Sequence, residues 1–203
     1  GTSGTGGDVT VHSGESAAND KTGGKMTLTA GHGSSTTDGE GGLFEVISGM
    51  GEKETGGYIT VTVGAGTKTT SGSLIVKSSD AGSEGVSGLL SFSSGSTSSG
   101  NSGSISIGTT VATKGRGGGM SITVGSGNSG TVAGGGDIVL ESGLSTVHTG
   151  GALSLTSGSG AVTTSGAITI KSNDAGTNGV SGSLTFASGY SKSGNSGAVS
   201  VHS

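Results

Sequence analysis

Gly150-Gly151-Ala152-Leu153-Ser154-Leu155-Thr156-Ser157-Gly158 is the stretch whose reading decides the fold of this chain. Leu153 and Leu155 are separated by one small polar residue, follow a glycine pair and precede Ser-Gly. Alternation with a period of two is the signature of a strand. It puts Leu153 and Leu155 on one side of the segment and Ser154 on the other. A helix is excluded because a glycine every few residues costs about 1 kcal/mol each relative to alanine in a helix interior. The glycine pairs suit turns between strands.

The same pattern occurs thirteen times along the chain. Its first apolar position reads Val9, Met26, Phe44, Ile59, Leu74, Leu90, Ile105, Met120, Ile138, Leu153, Ile168, Leu184 and Val199. The second reads Val11, Leu28, Val46, Val61, Val76, Phe92, Ile107, Ile122, Leu140, Leu155, Ile170, Phe186 and Val201. Intervals between first positions are 17, 18, 15, 15, 16, 15, 15, 18, 15, 15, 16 and 15. The run of six that opens at Met26 closes after 94 residues and begins again at Met120. Ser78-Ser79-Asp80-Ala81-Gly82 accordingly returns as Ser172-Asn173-Asp174-Ala175-Gly176. The organisation expected is one repeat array over 1–203, with a first superrepeat at 9–104, a second at 105–198 and the start of a further one at 199–203. Gly1 in place of a start methionine and an end just after a segment at Ser203 suggest a piece of a longer periodic protein.

Composition narrows the classes. Of 203 residues, 48 are Gly, 39 Ser and 28 Thr, and there is no Pro, Cys or Trp. Hydrophobic residues make up 28%, too little large apolar mass for a thick core. Collagen is excluded by the lack of proline and of a three-residue glycine period. Thiolate metal sites and disulfide scaffolds are excluded by the lack of cysteine. No apolar run is long enough to span a membrane as a helix. Eight Lys and one Arg, Arg116, form no basic stripe, so nucleic acid is not an expected partner.

Thirteen short strands with one apolar face call for stacking. The expected fold is all-β: a β-solenoid of about 13 turns with 15–18 residues per turn, its two apolar columns forming ladders in a thin core. Back-side residues Val132, Val147, Val162 and Val180 would pack behind them. A two-unit-per-turn β-roll and a stacked antiparallel meander are the alternatives. On the solenoid Val61, Leu155 and Ile170 are expected inside, and Thr60, Ser154 and Thr169 outside; the meander would leave its apolar face seeking a partner.

Residues able to do chemistry are few. Gly125-Ser126-Gly127-Asn128-Ser129-Gly130 matches a dinucleotide fingerprint, but Thr131-Val132-Ala133-Gly134-Gly135-Gly136 is no helix start, and glycine-rich sequence produces such matches by chance. His12, His32, His148 and His202 are far apart in sequence and read as surface residues. Asp80 and Asp174 lie in equivalent loops without the nonapeptide spacing of a calcium β-roll, and read as loop caps. The expectation is no enzyme, with no catalytic, cofactor-binding or metal residues and no cofactor. Between the apolar columns, ten of thirteen residues carry hydroxyls, Thr10, Thr60, Ser106 and Thr169 among them. Such an array suits O-linked glycans or an ice-ordering face, although Lys77, Lys171, Glu45, Glu141 and Lys25 interrupt the flatness the latter needs. N-linked sequons are absent.

Tandem Ser-Gly-x-Ile-x-Ile units such as Ser102-Gly103-Ser104-Ile105-Ser106-Ile107, joined by Gly/Ser/Thr connectors, resemble the glycine-rich repeats of large extracellular fibril proteins of algae and other microbes. The resemblance implies a structural repeat protein at the cell surface or outside it. It would form or extend a filament by end-to-end β-ladder stacking, with other copies or further repeats of the same polypeptide as partner and attached glycans as decoration. A cell-surface adhesin or ice-binding β-solenoid is the alternative it leaves.

Overall fold

The computed structural model describes Gly4 and residues 6–128 and 134–202. Among the described residues there is no helix and no strand. The all-β expectation is therefore corrected, together with its β-solenoid, β-roll and meander forms: among the described residues no ladder joins one segment to another. The apolar columns are not a core. Val61 is 67% exposed, Leu155 63% and Ile170 52%, and no described residue is buried. The chain exposes 20181 Å². A compact protein of 18.8 kDa would expose about 8,300 Å² and a fully unfolded one about 27,000 Å².

The physical reason lies behind the columns. A thin solenoid needs side chains on the back of each turn to cover those on the front. Val147 and Val162 instead sit at connector bends, and they and Val180 are exposed. Val132 lies outside the described residues. The other large apolar connector residues, Met50, Val86, Val111, Leu144 and Tyr190, are exposed as well, and the rest of the connector positions are small, polar or charged. Two apolar residues per unit have no second layer to be buried against, and a face without a partner layer gives no packed domain.

What the chain does form is local. Each apolar segment runs without turn or bend among the described residues, and apart from a bend at Gly4 the described chain changes direction in the connectors, at 18–20, 36–38, 52–54, 67–69, 83–85, 98–100 and 113–115, and then at 146–148, 161–163, 177–178 and 192–194. The chain divides into two units, Gly1–Ile105 and Ser106–Ser203. In the first, the feet of four connectors are tied by backbone hydrogen bonds: Gly24 N–H donates to the Gly14 carbonyl, Gly42 to Gly31, Gly57 to Gly49 and Gly72 to Gly64, at 2.8–2.9 Å. In the second, Gly136 donates to Gly125 at 3.3 Å, Gly151 to Gly143 at 2.9 Å and Gly166 to Gly158 at 2.8 Å. Beyond these feet no backbone hydrogen bond joins adjacent segments among the described residues.

Connector tips are held by hydroxyls, as in serine and threonine turns. The Ser145 Oγ accepts the His148 N–H at 2.9 Å, and the Ser35 Oγ accepts those of Thr37 and Asp38 at 3.3 and 3.4 Å. Asp20, at the 18–20 tip, takes a left-handed φ of 59°, which aspartate tolerates better than most residues.

A dilute solution of single chains should therefore show no cooperative unfolding. The expected thermal scan by circular dichroism is a gradual drift. A sigmoidal melt with an enthalpy near 0.7 kcal/mol per residue would contradict this fold.

Candidate functional site

The feature that recurs around the chain is the foot of the connector. Two residues before every first apolar position stands a glycine, and two residues after every second one stands a small or β-branched residue. These positions extend the same alternating face, so each segment presents glycine, apolar, apolar and small in turn. At each foot the glycine of one segment lies against the small residue that ends the segment before it. A β-carbon placed on Gly57 would lie 3.4 Å from the Ser48 Cβ, and one on Gly151 would lie 3.4 Å from the Ser142 Cβ. Corresponding distances are 3.5 Å from Gly88 to Ser78, 3.5 Å from Gly103 to Ser94 and 3.6 Å from Gly182 to Ser172. At Gly118 the Thr109 Oγ1 also donates to the glycine carbonyl, at 3.1 Å.

Glycine is needed where these feet are tightest. At Gly42 an added methyl would lie 3.0 Å from the Gly31 N and 3.4 Å from the Gly31 O, the atom that accepts the closing bond. Its neighbour Gly41 has nothing within 4 Å of the same position. Of the seven half-buried residues among those described, four, Ala30, Ser48, Ser142 and Ser157, are covered by a foot glycine; Gly33, Ser145 and Ser191 are the others, and the apolar columns are exposed. The closure shades its neighbours too. Met26, which follows the Gly24–Gly14 foot, is 46% exposed, against 92% for Val9.

Sequence reasoning recognised the glycine pairs as turn markers and missed the small residue as their partner. The signal was present: Ser13, Ala30, Ser48, Val63, Ser78 and Ser94 continue the alternation one step past the second apolar column.

The residues considered for chemistry remain apart. Among the described residues no group of three His, Asp or Glu side chains could hold a metal ion, and no cavity is present. His12, His32, His148 and His202 are exposed, as are Asp80 and Asp174. The connectors of the two aspartates contain matching inner turns, with Gly85 N–H to the Gly82 carbonyl and Gly179 to Gly176, both at 3.4 Å. The glycine-rich stretch from Gly125 begins a connector, its Gly125 carbonyl closing the foot with Gly136. Gly125–Asn128 contains no helix, and Ser129, Gly130, Thr131 and Ala133 lie outside the described residues, as does Ser203. Thr60, Ser106, Ser154 and Thr169 are exposed, but an ice-ordering lattice needs strands held in register and the described residues contain none.

No helix is long and apolar enough to cross a membrane among the described residues. No family model matches the chain, and neither a curated protein nor a solved structure is similar to it.

The foot geometry makes a local prediction. Gly42→Ala should open its connector and abolish the slowing of amide exchange at residue 42, at most about tenfold for one exposed hydrogen bond worth 0.5–1.5 kcal/mol. Gly41→Ala should leave that amide as it was. Equal effects of the two substitutions on exchange measured by NMR would show that close approach at Gly42 is not what closes the loop.

Proposed function

We propose that this chain is a structural repeat protein of an extracellular filament, and that it works by associating with other chains. The observation that supports this reading is the exposed apolar pair carried by each described segment at nearly constant spacing. Isolated surface apolar residues need no explanation, but a contiguous or repeated apolar surface marks an interaction site. The straight segments also leave their backbone N–H and C=O groups without partners in the chain. Such groups pair readily with another chain.

The mode of assembly differs from ladder growth at the two ends, because no ladder exists to be extended. Association along the length of the segments takes its place. Hydroxyls between the apolar columns keep the opposite side of each segment polar and offer exposed acceptors for O-linked glycans. The role is structural and non-enzymatic, and its partner is the same kind of chain.

Replacing one apolar pair tests the reading. Leu153→Ser together with Leu155→Ser should raise the concentration at which particles sediment about tenfold, the effect of losing about 1.4 kcal/mol of association free energy. Ser154→Ala should not raise it. A chain that stays monomeric at millimolar concentration in analytical ultracentrifugation would refute the proposal.

A further inference from the structure

The two units differ in charge although they share their pattern. Residues 1–105 contain ten acidic and five basic side chains, a net charge of −5. Residues 106–203 contain three acidic and four basic side chains, a net charge of +1. Connector lengths restrict how two parallel copies can align. A shift by one unit sets 15-residue spacings against 16- or 18-residue spacings, and the pattern comes back into step after 94 residues. The structure repeats at that interval as well: the feet at Gly42, Gly57 and Gly72 recur at Gly136, Gly151 and Gly166, and Gly100 and Gly194 share positive φ values of 120° and 112°.

Resting on the filament reading above, we infer that the occupant of the apolar pairs is a second copy of this chain, parallel and shifted by 94 residues, so that residues 1–109 of one copy lie along residues 95–203 of the next. Unshifted copies would set every charged residue beside its own kind, and the −5 half against another −5 half. In the shifted arrangement Glu45 meets Val139, Glu54 meets His148 and Glu141 meets Ile47. Like charges stay opposed only at Lys77 with Lys171 and Asp80 with Asp174. Like-charge juxtaposition suppresses wrong pairings, so the half-shifted register is selected.

The available surface is sufficient. Side chains of this size bury on the order of 100 Å² each when fully covered. Those of one half, a little over half exposed, present on the order of 700 Å². That approaches the roughly 800 Å² per partner of a stable interface before any backbone pairing is counted. The arrangement is heterologous: each copy uses one half on each neighbour and leaves a free half at both ends. Such an interface propagates into an open-ended filament instead of closing.

The chain contains no cysteine, so introduced thiols report on register without background. Full-length copies carrying Thr60→Cys are mixed in equal amounts with copies carrying Ser154→Cys, assembled and mildly oxidised. Residues 60 and 154 are 94 apart. The expected product is the mixed 60–154 disulfide, about tenfold over either homodisulfide at low salt, with a smaller excess at about 1 M salt, where the screening length is near 3 Å. Sedimenting assemblies in which 60–60 and 154–154 links equal or exceed the mixed one would overturn the half-shifted register and leave the filament reading standing. An excess unchanged by salt would overturn charge as its cause. Absence of any sedimenting species would overturn both readings.

Discussion

Contact between a glycine and the small residue that ended the segment before it is the interaction on which the rest of this structure depends. It brings the two feet of a connector close enough for one backbone hydrogen bond, as at Gly57 and Gly49, at 2.8 Å. It also separates the straight segments, which carry the apolar residues, from the connectors, which carry most of the charge. A β-carbon on the glycine would press on Ser48 or on the Gly49 N, so the close approach is available to glycine and to few other residues. One such bond is worth about 0.5–1.5 kcal/mol. The feet therefore organise the chain locally and do not by themselves hold a compact domain.

This division explains why so apolar a pattern coexists with an unburied chain. Closing a loop of 8 to 11 residues costs slightly less entropy than bringing together positions 15 to 18 apart. Local closure needs only a glycine and a small or β-branched residue, whereas stacking one unit on the next needs a second layer of side chains that the exposed connector residues do not provide. Each segment thus offers Ile59 and Val61, or Leu90 and Phe92, with nothing in its own chain to cover them. Surface left in this state stays open to contact with another molecule.

Much of the local organisation was legible in residues. The alternation at Leu153-Ser154-Leu155 identifies which side of a segment is apolar, and the column of glycines two places earlier marks where connectors end. The expectation of no metal or catalytic constellation rested on the wide separation of His12, His32, His148 and His202 along the chain. Harder to read was the role of Ser48, Ser142 and Ser157. A serine before a glycine carries no signal of its own in a chain so rich in both, and its significance comes from the glycine 9 residues on that covers it.

Sequence by itself determined the period of the units, the 94-residue superrepeat, the two apolar columns and the unequal charge of the two halves, because these are properties of order along the chain. Tertiary structure decided whether the columns would become a core. That outcome turns on what lies across from each side chain in space. Val147 and Val162 could have stood behind the columns, as the solenoid reading required, and instead they occupy exposed connector bends. Alternation specifies which way a side chain points; burial needs a second surface for it to point at, and this chain supplies none of its own.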